Sequence, residues 1–162
     1  MKLVCNLDDF FLNHIHVTPL DYDVDSDRRS GQVAFDYNLT CSCDDDHRIR
    51  MQMSFQMRAN DDDERPLCPY EIEAEIVGFF TFPQDLEDNQ IAYLCRVNTM
   101  TILYGVLRGE IASITGSCVH GKFVLPTVMM QDVVNEVEER KQAERQNAQL
   151  ETPDAEQDIP ES

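Results

Sequence analysis

Positive charge and long apolar runs are what this sequence has least of. Thirteen Lys and Arg stand against 31 Asp and Glu, a formal net charge of -18. A field of that sign repels phosphate backbones and anionic headgroups, so nucleic acid and membrane surfaces are poor partners and a basic partner is favoured. Plain solubility is the simpler use of the same charge. No apolar stretch approaches the roughly 20 residues that span a bilayer, which argues against membrane insertion. The opening segment MKLVCNLDDFF has one Lys followed by acid and no apolar signal core, so a cytoplasmic location is expected. A chain of 162 residues suits one domain with a moderate core.

The chemistry of catalysis is missing as well. There is no nucleophile elbow with an ordered Ser/His/Asp set and no glycine loop to cradle phosphate. The carboxylates fall in turns and on strand faces, not paired against apolar walls. His120 beside Gly121 has nothing nearby in sequence to orient it as a general base, and a surface loop histidine is the better reading. No enzyme activity and no cofactor are expected. The six cysteines, Cys5, Cys41, Cys43, Cys68, Cys95 and Cys118, lack the spacing of a zinc finger. Cys41 and Cys43 share one face of an expected strand and read as small buried hydrophobes. His14 and His16 also share a face, with no third ligand evident, so no metal is expected. The acidic triplets of the loops lack the alternating oxygen ligands and central glycine of a calcium loop and read as solvated turns.

What is present is periodicity. Phe10 to Thr18 (FFLNHIHVT) is apolar-rich and stops at Pro19, a short first strand, and Asp21 to Gly31 is an acidic, turn-forming connector. Val33, Phe35, Tyr37, Leu39, Cys41 and Cys43 then alternate with polar or small residues, the period of a half-buried strand. Asp44 to His47 interrupts as a hairpin loop would. Alternation resumes through Ile49, Met51, Met53, Phe55 and Met57. After a second acidic connector (60–66), Tyr70, Ile72, Ala74 and Ile76 alternate with Glu71, Glu73 and Glu75. That strand ends in Gly78-Phe79-Phe80-Thr81-Phe82, where both faces turn apolar, so one face is either covered there or binds something.

The rest reads as helix. Pro83 to Val97 holds a loop and a short helix with Leu86, Ile91, Ala92 and Leu94. From Asn98 a long helix carries Ile102, Leu103, Val106, Leu107, Ile111, Ile114 and Cys118 at helical spacing. Gly105, Gly109, Ala112 and Gly116 make a second stripe of side chains too small to hold another backbone away. Glycine within a helix costs about 1 kcal/mol against alanine. The stripe therefore marks close packing, either against the chain's own sheet or between helices of two copies. Leu125-Pro126 then steps into a last helix with Val128, Met129, Val133, Val134 and Val137. Beyond Val137 the pattern is polar all round, supported only by i,i+4 pairs such as Glu136 and Arg140, and 151–162 is an acidic tail with no core pattern. This predicts one domain over 1–137, with 138–162 a polar helix extension and a disordered acidic tail.

This order of strands, short helix, long helix and Leu-Pro step resembles the family of the protein-export chaperone SecB. Asn98 and Ile102-Leu103-Tyr104 are similar to that family's N-x-I-L-F-P-Y opening of its long helix. Arg108 and Ile111 stand where its R-x-x-I follows. Gly121, Phe123, Leu125 and Pro126 resemble its G-x-F-x-x-L-x-P run, and the strand end at Gly78 to Phe82 resembles its G-I-F-S-I. Gly105 stands where the family usually has proline, and Val128-Met129-Met130 stands near its V-N-F. The resemblance covers roughly residues 10 to 137.

It implies an α+β fold, a four-stranded antiparallel sheet with a short helix, a long helix and a C-terminal helix packed on one face. It implies a homotetramer built as a dimer of dimers, with Gly105, Gly109, Ala112 and Gly116 at the helix contact between dimers. Its function would be ATP-independent holding of unfolded preproteins and delivery to the motor ATPase SecA. Flexible apolar side chains suit capture without sequence specificity. The implied client contacts are Met51, Met53, Phe55, Met57, Phe80, Phe82, Met129 and Met130, with ordinary core the favoured alternative for the strand methionines. Glu71, Glu73 and Glu75 on one strand face would receive the basic tail of SecA, although Asn13 to Val17 lacks the family's other acidic contact. The last helix would form a lid over the client groove. A SecB-like chaperone dedicated to one client such as an antitoxin, or an unrelated small α+β ligand-binding protein, are the alternatives.

Overall fold

The structure, a computed structural model, describes residues 5–22, 31–41, 47–60, 68–83 and 88–150, excepting the side chains of 41, 88–94 and 149–150. Most of the connector expected at 21–31, of the loop expected at 44–47 and of the connector expected at 60–66, together with Cys43, Leu86, the side chains of Cys41, Ile91, Ala92 and Leu94, and the tail at 151–162, lie outside the described residues. Four strands, β1 (Asn6–Pro19), β2 (Gln32–Cys41), β3 (Arg48–Arg58) and β4 (Tyr70–Thr81), precede two helices, α1 (Asp88–Thr115) and α2 (Met130–Leu150). The strands form one antiparallel sheet in the order β1-β4-β3-β2, and the helices pack on one of its faces.

Burial on β3 and β4 follows the alternation of the sequence. Ile49, Met51, Met53, Phe55 and Met57 of β3 face the helices together with Tyr70, Ile72, Ala74 and Ile76 of β4, all buried. β1 is longer than expected, and its pattern is harder to read because two residues are inserted into its ladder. Register slips between Leu7 and Asp9 and between Leu12 and His14, leaving Asp8 and Asn13 extra. Each bulge re-phases the strand, so Leu7, Leu12, Ile15 and Val17 all reach the core side, where they pack partly buried. Both inserted residues are anchored to β4. The Asp8 carboxylate accepts from Thr81 Oγ1 at 2.6 Å, and the Asn13 amide donates to the Glu75 carboxylate.

One helix stands where a short helix and a long helix are expected. Asn98-Thr99 does not break it, because the buried Thr99 hydroxyl donates back to the Cys95 carbonyl, leaving no unsatisfied polar atom in the turn. Met100, Leu103, Leu107 and Ile111 form the fully buried face of α1, and Phe35, Phe55 and Tyr104 pack ring against ring beneath it. Ile114, an expected member of that stripe, is 36% exposed because the helix ends one residue later. The tight helix–sheet crossing falls at Gly78 of β4. A Cβ there would lie 2.6 Å from the Leu103 side chain and 2.8 Å from the Phe80 ring.

Past α1 the chain is held down by polar contacts. The buried Thr115 hydroxyl donates to the Ile111 carbonyl at 2.7 Å and accepts the Phe123 amide at 2.9 Å. Tyr104 donates to the Pro126 carbonyl at 2.8 Å, and Arg108 Nε to the Leu125 carbonyl at 3.1 Å. Gly121, at φ +74°, supplies the one left-handed turn among the described residues. α2 begins four residues after Pro126, buries Met130, Val134 and Val137, and continues as helix through the polar segment.

Candidate functional site

Among the described residues no helix lies on the sheet's second face, and its side chains run in rows across the strands. One row is Asp9, Phe79, Arg50 and Thr40, and the next is Phe11, Val77, Gln52 and Asn38. Then come His14, Glu75, Ser54 and Asp36, followed by His16, Glu73, Gln56 and Ala34. Strand alternation thus sorts this face into an apolar end and an acidic end. At the apolar end Phe11 and Phe79 are 44% and 36% exposed, with ring centroids 5.9 Å apart, and Val77 is buried beneath them. An open cleft of about 520 Å³ lies beside Phe79 between Asp8, Asp9, Arg48 and Arg50.

Glu71, Glu73 and Glu75 come together at the acidic end, where a second cleft of about 380 Å³ is lined by His16, Thr18, Arg58, Glu71 and Glu73. The hydrogen bond from Asn13 holds the Glu75 carboxyl below its usual range, with Gln52 and the charges of His14 and Arg50 acting in the same direction. His14 Nε2 lies 3.9 Å from Glu73 Oε1, both side chains about half exposed. A Glu75 carboxyl held toward its ionised form, with Glu71 and Glu73 beside it on one face, suits a cationic partner better than proton transfer. Among the described residues, no group of three or more His, Cys, Asp or Glu is placed to hold a metal ion.

The apolar residues singled out in the sequence separate sharply by exposure. Met51, Met53 and Phe55 are fully covered, and Met57, Phe80, Phe82 and Met130 are no more than 6% exposed, all under the helices. Met129 alone of the eight is on the surface, at 71%. Val119 and Val124, on the same connection between the helices, are 77% and 50% exposed and belong to no periodic stripe. That lack of a stripe is itself the available signal: an apolar residue in a loop, off any core-facing period, has no core to enter.

The small stripe of α1 faces away from the sheet. At Gly105 and Gly109 an added Cβ would meet nothing within 4 Å, so nothing among the described residues accounts for either glycine. Ala112 is half-buried on the same side. Gly116 has a local reason, since it follows the last helical residue and a Cβ there would crowd the carbonyls of Ala112 and Ser113 at 3.3 Å.

The polar part of α2 lies along β2, an edge strand. The Asp36 carboxylate is 3.0 Å from Lys141 Nζ and 3.5 Å from Arg140 Nη2. Arg140 donates to the Phe35 carbonyl at 3.0 Å, and Lys141 donates to the Tyr37 carbonyl while sitting 4.4 Å from the Tyr37 ring centroid. Tyr37 in turn donates its hydroxyl to Glu138, which lies 3.8 Å from Arg96. The helix that should leave the domain after Val137 is therefore tied to the sheet as far as Lys141.

No family model matches this sequence, and no curated protein matches it. The fold has solved counterparts. The SecB-like chaperone Rv1957 of Mycobacterium tuberculosis, solved with a ChAD peptide from the Rv1956 HigA1 antitoxin, superposes with a TM-score of 0.57. The match is at 13% identity and covers 78% of this chain and 91% of that one. A Streptococcus agalactiae protein of unknown function matches at TM-score 0.44 and 10% identity, over 78% and 100% of the two chains. The four-stranded antiparallel sheet with two helices on one face is a SecB-like α+β fold, and the chain is a divergent example of it.

Proposed function

We propose that the protein is an ATP-independent holdase chaperone that binds non-native polypeptide and keeps it soluble. The observation that carries this reading is the SecB-like fold shared with a chaperone solved in complex with an antitoxin peptide. Exposed apolar residues on the α1–α2 connection support it, because Met129, Val119 and Val124 offer flexible or branched apolar contact without a lining that selects a sequence. Contact with the seven buried candidates, Met51 to Phe82 and Met130, requires the helices to move off the sheet. A net charge of -18 keeps a loaded complex dispersed and favours basic clients. In this reading the chain is cytoplasmic and not an enzyme, residues 1–137 form one domain, and 138–162 is its polar extension. Among the described residues, no helix is long and apolar enough to cross a membrane.

The assembly in this reading is a homotetramer. Two features support it: the open small-residue face of α1, and the contrast between the two sheet edges. α2 side chains occupy the β2 edge, which leaves β1 as the edge for pairing sheets of two protomers. SecA is the proposed receiver of clients, with its basic tail on Glu71, Glu73 and Glu75. The alternative of one dedicated client is favoured by a single observation, namely that the structural counterpart was solved with an antitoxin peptide.

The deciding experiment mixes the purified chain with an unrelated aggregating protein in the absence of ATP and follows turbidity, with the oligomer sized by light scattering. A tetramer that suppresses aggregation is expected; a monomer without effect overturns the reading. Reversing charge with Glu71→Lys and Glu73→Lys should weaken SecA binding and leave client holding intact. Undiminished SecA affinity removes that role from the acidic face.

A further inference from the structure

The contacts between α2 and β2 have a feature that simple helix packing does not need. They are made to backbone groups. In an antiparallel ladder every second residue of an edge strand turns both its N–H and its C=O away from the partner. Phe35 and Tyr37 are such residues of β2. The Phe35 carbonyl accepts from Arg140, the Tyr37 carbonyl from Lys141, and the Tyr37 N–H donates to Asp36 Oδ1 at 2.8 Å. Three edge groups that another strand would pair are thus satisfied by side chains. Val33 and Leu39 turn the same groups outward on either side by the same alternation.

We infer that the β2 edge is a strand-addition site for an extended segment of client polypeptide, and that the Asp36–Arg140–Lys141 clasp is its removable cover. The inference rests on the holdase reading. An added strand is recognised through main-chain hydrogen bonds, which every polypeptide offers, so the site needs no sequence motif in its partner.

The cover is built to leave. One carboxylate, itself half exposed, holds both cations. Every described residue of α2 beyond Lys141 is solvent-exposed, so no apolar contact holds that part of the helix down. Exposed charge contacts of this kind are weak and screened by salt. A folded edge of ten residues would otherwise stand open as a template for aggregation, and side-chain cover is a known remedy. A second copy is the poorer occupant, because each of the two chains would have to displace its own clasp.

The test uses the full chain, the double variant Arg140→Ala with Lys141→Ala, and Asp36→Asn. The Asn keeps an oxygen acceptor for the Tyr37 amide and removes only the charge. Each is titrated with reduced, carbamidomethylated lysozyme, a permanently unfolded basic protein, while amide exchange of Val33, Phe35, Tyr37 and Leu39 is followed residue by residue. The double variant should bind about tenfold tighter than the parent, since loss of a weak cover raises the competent fraction by no more than that. Asp36→Asn should move the same way by about threefold. The gap between parent and variants should close at high salt, and the four edge amides should slow on binding. Equal binding by all three with unprotected edge amides overturns the strand-addition site and leaves the holdase reading standing. No binding by any of the three overturns both. Variants that dimerise without the lysozyme, with protected edge amides, overturn the client assignment in favour of a second copy.

Discussion

The two sides of α1 have opposite composition and opposite surroundings. Toward the sheet, Met100, Leu103, Leu107 and Ile111 are wholly covered, and Leu103 sits so close to β4 that only glycine fits at position 78. Away from the sheet, Gly105 and Gly109 give up helix stability with no packing among the described residues to offset it. The difference separates two meanings of glycine that look alike in a sequence. Gly78 lies in a strand and is explained by the neighbour it admits. Gly105 and Gly109 lie in a helix, and no neighbour among the described residues explains them.

The largest effect tests the packed side. Leu107→Ala should cost about 3–5 kcal/mol, because a fully buried Leu leaves a cavity between helix and sheet that can close only in part. The midpoint of denaturant unfolding measures it, and a loss below about 1 kcal/mol would mean that α1 is not the lid of this core. Next is the crossing point. Gly78→Val should cost about 1–3 kcal/mol by overpacking, read the same way, since its Cβ meets Leu103 and the Phe80 ring well inside van der Waals contact. A neutral outcome would show that the helix rides higher over β4 than this geometry has it.

A smaller effect lies at the margin between the two sides. Burial pushes the Tyr104 phenol up to about 12, against the nearby charge of Arg108. A free tyrosine ionises near pH ~10. The folded state therefore holds the proton more tightly than the unfolded one. Its contribution is complete below about pH 10 and is lost as pH rises through about 12. Burial raises the phenols of Tyr37 and Tyr70 as well, so the alkaline loss is shared. Tyr104→Phe should cost about 1 kcal/mol at neutral pH, through the hydrogen bond to Pro126, and should flatten the alkaline limb of the stability profile without abolishing it. An unchanged limb would place the proton elsewhere.

How much of this was legible in the sequence depends on the range over which each signal acts. Period two in β2, β3 and β4 marked their faces, because alternation is local and each of these strands keeps its phase. β1 blurred, because Asp8 and Asn13 add residues that shift the phase, and neither carries a local mark of a bulge. The acidic face was legible as three alternate glutamates. The clasp was not, since Arg140 meets Phe35 across 105 positions and a polar pair of that range leaves no period behind. The strand methionines had the composition of a client surface, but composition does not reveal the helices that cover them. Thr99 hid a helix continuity, since its reach back to the Cys95 carbonyl is a matter of rotamer and not of pattern.

The open side of α1 gives the smallest change in protomer stability and the sharpest test of the contrast. Gly109→Leu adds a side chain where the described residues leave space, and it exchanges a poor helix former for a good one. Unfolding of the dissociated protomer should therefore be unchanged or stabilised by up to about 1 kcal/mol. If a second helix packs there, the same side chain holds the two backbones apart, and light scattering should show tetramers splitting into dimers. The two readouts move independently. A stabilised protomer in an intact tetramer places the helix contact elsewhere. A destabilised protomer means that α1 is covered by part of its own chain, and the glycines then carry the same meaning as Gly78. Only a protomer at least as stable as before, in a smaller assembly, leaves the two sides of α1 as different as they look.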